Sequence, residues 1–223
     1  MQSLLEILVS DSELLWGGLQ ETIYMVGLSM AISTIFGLLL GVGVVVTEQD
    51  NLLENKYINF VLSTIINVVR SIPFIILMVA IIPFTRLLVG TSIGTEAAIV
   101  PLTIAAIPFT GRIVESAIKE VEQGVIEAAL VMGATPWEVI IKVLIPEALP
   151  SLILGLTITA ITLVSFSAIV GAVGGGGLGD IAIRYGYQRF QTDVMFKTVL
   201  LLIIMVQGVQ GFGNWLAAKL DNK

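Results

Sequence analysis

Long apolar runs separated by short polar breaks set the pattern of this chain. No charge occurs from Thr22 to Thr47, and the stretch Glu48-Gln49-Asp50-Asn51, reaching Lys56, ends that run. A second run, from about Tyr57 to Thr85, is interrupted only by Arg70. A third starts near Ala97 and passes Arg112, after which Glu115, Lys119, Glu120 and Glu122 return. A fourth starts after Pro146 and, beyond Glu147, stays uncharged until Asp180, and the fifth is Thr198 to Ala218. A helix that crosses the bilayer needs about 20 apolar residues. Each run therefore predicts a span, and the five together predict an all-α integral membrane fold.

Glycine and proline punctuate the runs. Gly174-Gly175-Gly176-Gly177-Leu178-Gly179 cannot continue a helix, because each glycine costs about 1 kcal/mol against alanine there. The fourth helix is expected to end near Gly171, followed by a tight outer loop that runs through Arg189. The glycines do not read as a phosphate cradle, since neither the Gly-Lys-Ser/Thr of a P-loop nor the context of a dinucleotide fold accompanies them. Pro101 and Pro108 predict a bend in the third span. Met1 to Gln20 carries Glu6, Asp11 and Glu13 without a basic residue, so it reads as an amphipathic lead-in with Trp16 near the interface rather than a secretory signal.

Composition supports lipid as the solvent. The chain is 56% hydrophobic and 13% charged, where soluble domains run at about 45–50% and about 25%. Its 223 residues suit one membrane domain, 1–223, with no room for an ATPase or a soluble receptor. The absence of Cys and His removes thiolate chemistry, the usual zinc ligands and a histidine pH switch. A net charge of -6 argues against nucleic acid as a partner. With the N-terminus outside, the cytoplasmic side collects Lys56, Arg70, Arg112, Lys119, Lys142, Lys219 and Lys223, against Arg86, Arg184, Arg189 and Lys197 outside. That bias predicts N-terminus out and C-terminus in.

The most structured connection is Gln123 to Pro150, QGVIEAALVMGATPWEVIIKVLIPEALP. Val125, Ala128, Ala129 and Met132 fall on one helical face. Gly133 suits the left-handed residue that ends a short helix. Thr135 is a candidate N-cap, Pro136 fits the first helical position, and Glu138 can close a capping box. A second short helix, with Trp137, Ile140, Ile141 and Leu144 apolar, then leads to Pro146 and Pro150. Two short helices meeting at a glycine turn are more geometry than a passive connector needs.

These residues resemble a motif of the permeases of bacterial ABC importers: EAA, three residues, G, nine residues, then I-x-L-P. Here it reads Glu127-Ala128-Ala129, Gly133 and Val143-Leu144-Ile145-Pro146, with Val for Ile and Ile for Leu. The resemblance implies a type I importer permease whose cytoplasmic loop, about 123–146, is a coupling helix docking on the ATPase. Glu127, Ala128, Ala129, Met132, Gly133, Thr135 and Pro136 would sit at that contact. Arg70-Ser71-Ile72-Pro73-Phe74 resembles the segment that starts the second core helix in amino-acid importer permeases, and Ile82 to Arg86, Val89 to Gly94, Ala97 to Phe109, Met132 to Pro150 and Gly171 to Gly179 together resemble the methionine importer permeases. That family implies a homodimer of five-helix subunits, two ATP-binding subunits and a lipid-anchored substrate-binding protein outside. It implies inward transport of a small amino acid by alternating access, in a bacterial inner or plasma membrane. The chain itself is then no enzyme, and ATP and Mg belong to the partner. A polar amino acid is the alternative cargo. A self-contained channel or ion-coupled carrier would call for intramembrane acids or inverted repeats, and neither is read here.

Candidates for the pathway or gate are Arg70, Ser165, Ser167, Ile169 and Val170. Arg70 is the one ionisable residue deep in an apolar run, with snorkelling at the interface as the rival reading. The hydroxyls of Thr157, Thr159, Thr162, Ser165 and Ser167 either line a path or bond back to their own helix. Gln207, Gln210 and Asn214 mark one face of the last span, for packing or for water.

Overall fold

The computed structural model describes residues 2–220, and side chains from residue 11 onward. Met1, Lys223 and the side chain of Glu6, all used above, lie outside the described residues. Among the described residues the chain is helical with no strand. In order, the helices are α1 (Gln2–Val46), α2 (Lys56–Arg70), α3 (Phe74–Ala80), α4 (Ile82–Val89), α5 (Thr95–Lys119), α6 (Gln123–Val131), α7 (Pro136–Val139), α8 (Ile145–Gly171), α9 (Gly177–Ile181) and α10 (Thr192–Leu220). Four helical stretches are long and apolar enough to cross a membrane, and α2 with α3 make a fifth if that broken pair is one span.

The first span is longer than the apolar run. Its 36 residues, Asp11–Val46, measure about 54 Å at 1.5 Å per residue, against a hydrocarbon core of about 30 Å. The lead-in is therefore no separate element: it continues into the span without a break at Thr22, and Trp16 stays exposed.

The second run is the largest departure from the sequence reading. Asn55 caps α2, its side chain accepting from the amides of Tyr57 and Ile58 at 3.1 Å each. The helix stops at Arg70 and a new one begins at Phe74, with Pro73 as its cap. Proline lacks an amide donor and disfavours helical backbone in the residue before it. Because Ile72, Pro73 and Phe74 are all apolar or neutral, hydropathy runs through a point where the backbone cannot. A third piece, α4, ends at Gly90 with φ +82°.

The fourth run holds the opposite surprise. No gap separates the second short helix of the loop from the span. α7 passes through a π-helical turn, Ile140–Leu144, into α8, giving one helical stretch from Pro136 to Gly171. The helix ends at Gly171 as expected, but the loop after it is mostly helical: α9 and a second π-turn, Ala182–Tyr187, fill 177–187. The glycine run is largely buried. Gly177, Leu178 and Gly179 are interior, and the amides of Gly177 and Leu178 donate to the Glu21 carboxylate and the Thr22 hydroxyl at 2.6 and 2.9 Å. A Cβ on Gly171 would lie 2.5 Å from the Asp180 amide nitrogen. These glycines allow close packing within the fold. α5 runs from Thr95 to Lys119 through both of its prolines.

The chain gathers into two compact units. The first comprises Met1–Ala31, Pro73–Ala105 and Ala160–Val209; the second comprises Ile32–Ile72, Ala106–Thr159 and Gln210–Lys223. In the first unit Leu15, Leu178, Ile181 and Val194 form a buried cluster, and Lys197 pairs with Asp11 at 2.7 Å. In the second, Val45, Val46, Val114, Ala117 and Ile118 are packed with Ala129, Val139, Ile140, Leu144 and Ala148. There α1 and α5 approach backbone to backbone: a Cβ on Gly41 would lie 2.5 Å from the Gly111 carbonyl oxygen and 2.5 Å from the Val114 Cβ. Gly37 and Gly41, four apart on α1, are the small-residue spacing by which membrane helices close on one another.

Candidate functional site: a two-helix elbow

The elbow of the second unit is built by backbone chemistry. α6 ends at Met132, and Gly133 follows at φ +89°. The Ala134 amide donates to the Ala129 carbonyl at 3.1 Å, and the Gly133 amide to the Leu130 carbonyl at 2.9 Å. This pair of bonds is the Schellman arrangement, which satisfies the last carbonyls of a helix and needs a left-handed residue where Gly133 stands. Nothing lies within 4 Å of a Cβ built on Gly133, so the glycine is required by its conformation and not by crowding.

The next helix starts at once. The Thr135 hydroxyl accepts from the Glu138 amide, and the Glu138 carboxylate accepts from the Thr135 amide at 3.0 Å, with Pro136 in the first turn. This is the capping box expected from the sequence. Glu138 also pairs with Lys142 at 2.9 Å.

The inward face differs from the sequence reading. Of Val125, Ala128, Ala129 and Met132, only Ala129 is buried, at 6% exposure. The helix turns Ile126 and Ala129 toward the core and leaves Val125, Ala128 and Met132 outside. Ala129 therefore holds α6 against the core and offers no surface to a partner. Val139, Ile140 and Leu144 hold the second helix in the same way. The outer side shows Val131 at 88%, Met132 at 82%, Trp137 at 65% and Ile141 at 62% exposure. Val131 and Met132 fall between the candidate spans. An exposed apolar tip of this kind marks a contact with another protein or with a membrane surface.

Beside the elbow, Glu115 is nearly buried and bonds to Arg112 at 2.8 Å and to Lys119 at 3.1 Å, while Lys119 reaches Glu48 at 3.0 Å. Ser151 donates to Glu120 at 2.6 Å. The charges at the end of the third run thus tie α5 to α8 and to the turn after α1. The sequence reading placed these charges without their partners.

The pathway candidates are divided between the two units. Arg70 belongs to the second unit, where it is exposed in the last turn of α2, a position that favours a cation. The other four lie in the first unit and on two faces of α8: Ser165 is exposed and Ile169 half-buried, whereas Ser167 and Val170 are buried. Val170 lines a cavity of about 240 Å³ with Met78, Ile82, Thr85, Ala97 and Pro101. The hydroxyls of Thr157, Thr159, Ser165 and Ser167 all bond back to carbonyls of their own helix. In the last helix Gln210 donates to Asn214 at 2.9 Å.

Long apolar helices and a structured elbow between two of them define a multi-pass membrane protein. The chain belongs to the binding-protein-dependent transport system inner membrane component family, whose model matches residues 33–222. It is 52% identical over 213 residues to a probable D-methionine transport system permease protein of Vibrio cholerae, covering 96% of this chain and 95% of that one. It is 43% identical over 209 residues to a methionine import system permease protein of Bacillus subtilis, covering 94% of each. Among solved structures, an inward-facing form of the MetNI methionine ABC transporter contains a chain that superposes with a TM-score of 0.93 at 47% identity, covering 95% of this chain and 98% of that one. An amino acid ABC transporter solved with histidines has the same fold, with a TM-score of 0.78 at 22% identity.

Proposed function

We propose that this chain is the membrane-spanning permease of an ATP-driven methionine importer. The observation that carries the reading is the elbow: a glycine turn and a capping box present Val131 and Met132 outside the spans, with the inner face fixed to the core. An ATP-binding subunit covers that tip and moves it. Glu127, Ala128, Met132, Gly133, Thr135 and Pro136 form or shape the contact, and Ala129 anchors it.

The chain acts as one permease domain, 1–223, paired with a second copy and two ATP-binding subunits. A substrate-binding lipoprotein delivers the amino acid from outside. ATP and Mg are used by the partner, and this chain supplies no catalytic group. Arg70, Ser165, Ser167, Ile169 and Val170 remain the pathway or gate positions to test. The distribution of charge supports N-terminus out and C-terminus in. Lys56, Arg70, Arg112, Lys119, Lys142 and Lys219 all fall in the second unit with the elbow, whereas Arg86, Arg184, Arg189 and Lys197 fall in the first. Basic residues gather on the cytoplasmic side of membrane proteins.

The test is uptake of labelled methionine by cells lacking the chain and by cells with it restored, with unlabelled amino acids as competitors. Restored uptake that methionine competes supports the cargo. Restored uptake of a polar amino acid alone keeps the permease and overturns the cargo. Transport that persists without ATP overturns the class.

A further inference from the structure

The turn after α1 faces the elbow within the second unit, and a cleft of about 500 Å³ lies between them, lined by Asp50, Asn51, Leu52, Ile126, Glu127 and Leu130 among others. Leu52, Ile126, Leu130 and Pro136 give it an apolar lining, and Asp50 and Glu127 give it two carboxylates. No basic residue lines it. Among the described residues neither carboxylate has a hydrogen bond or ion pair, while the neighbouring cations Lys119 and Lys142 are engaged with Glu48, Glu115 and Glu138. Asp50 is held at φ 61°, and its amide donates to Glu54 at 3.2 Å.

We infer that this cleft receives a basic side chain, arginine or lysine, of the ATP-binding subunit, so that the turn at Asp50–Leu52 is part of the docking surface. The inference rests on the coupling role proposed for the elbow and extends it to a segment about 75 residues earlier in the chain. Two features select the occupant. The long aliphatic stem of a basic residue suits an apolar lining, and its charged head suits unpaired carboxylates at the rim. Leu130, which lines the cleft, directly precedes the exposed Val131 and Met132 in the chain.

The experiment uses the whole complex, with the ATP-binding subunit coexpressed, and measures its retention on the permease over rising salt. Gly133→Val tests the elbow, Asp50→Asn tests the cleft, and Glu147→Gln controls for loss of one negative charge outside it. Asp50→Asn is expected to weaken docking several-fold at low salt and to flatten the salt dependence, as loss of one charge at an interface does; Asp50→Lys is expected to weaken it further. Glu147→Gln should leave the salt profile unchanged. If Gly133→Val releases the subunit but both Asp50 variants retain it with an unaltered salt profile, the cleft inference falls and the elbow stands. If Glu147→Gln flattens the profile equally, the effect is net charge and the inference falls. If the Asp50 variants separate the two permease copies and leave the subunit bound, the occupant is a second copy and the inference falls. If Gly133→Val also retains the subunit with unchanged transport, the coupling role itself falls.

Discussion

The conformation of Gly133 allows a prediction that separates backbone from contact. Its φ of +89° is a region where a residue with a Cβ costs about 1–2 kcal/mol. Its open surroundings, with nothing within 4 Å of the built Cβ, mean that no clash inside the chain adds to that cost. Gly133→Ala should therefore open the turn by about 1–2 kcal/mol, a shift of about 5- to 30-fold in the population of the closed elbow. Gly133→Asn should cost less, because asparagine tolerates the left-handed region. Gly133→Val should cost most, since a β-branched residue is a true outlier there. The assay is the apparent affinity of the ATP-binding subunit for the reconstituted permease, alongside methionine uptake. The expected order of loss is Asn, then Ala, then Val. If Asn, the larger side chain, is as damaging as Val while Ala is harmless, side-chain bulk at the partner contact decides the matter and the backbone argument is refuted.

Other perturbations address the packing that holds the elbow and the loop after α8. Gly41→Ala should lower the melting temperature of the purified permease by several degrees, since a methyl 2.5 Å from a carbonyl oxygen forces α1 and α5 apart at about 1–3 kcal/mol. Gly27→Ala, with nothing within 4 Å, should hold or raise that temperature, because alanine favours a helix, and an equal loss in both would overturn the assignment. Thr135→Ala should remove about 1 kcal/mol of capping and speed amide exchange at Trp137 to Val139; unchanged exchange would mean that the core alone sets this helix. Thr22→Val should strand the buried Leu178 amide at about 1–3 kcal/mol, seen as earlier proteolysis of the 172–191 segment, whereas Thr22→Ser should restore protection.

The elbow was legible because its signals are local. A left-handed glycine and an N-cap threonine followed three residues later by glutamate act over four to six residues, and Gly133, Thr135 and Glu138 adopt the conformations their chemistry asks for. The spans were legible as apolar length. Breaks and approaches were not, because hydropathy carries no backbone information. Arg70-Ser71-Ile72-Pro73-Phe74 marked a helix start through its resemblance to amino-acid importer permeases, yet the apolar count ran through it into one span. The spacing of Gly37 and Gly41 could have pointed to the α1–α5 crossing. The partners of Glu115, and the meeting of Asp50 with Glu127 at one cleft, depend on contacts made far along the chain.

The π-turn at Ile140–Leu144 explains why the elbow looked like a separate element. Proline at position 146 has no amide donor, and its ring collides with the carbonyl four residues earlier in a regular helix, here that of Lys142. Widening the turn relieves that collision, and the Ile145 amide bonds instead to the Ile140 carbonyl, five residues back. A π-turn inserts one residue into an otherwise α-helical path, so it shifts the apolar period without ending the helix. From sequence, Pro146 and Pro150 read as a boundary. In the structure the inserted residue keeps Val139 and Ile140 facing the core on one side of the turn and Ala148 and Leu152 facing it on the other. The elbow is thereby joined to α8 by a continuous backbone ladder. A displacement of α7 is resisted by that ladder as well as by side-chain packing, which suits the proposed role of a loop that transmits a partner's movement rather than absorbing it.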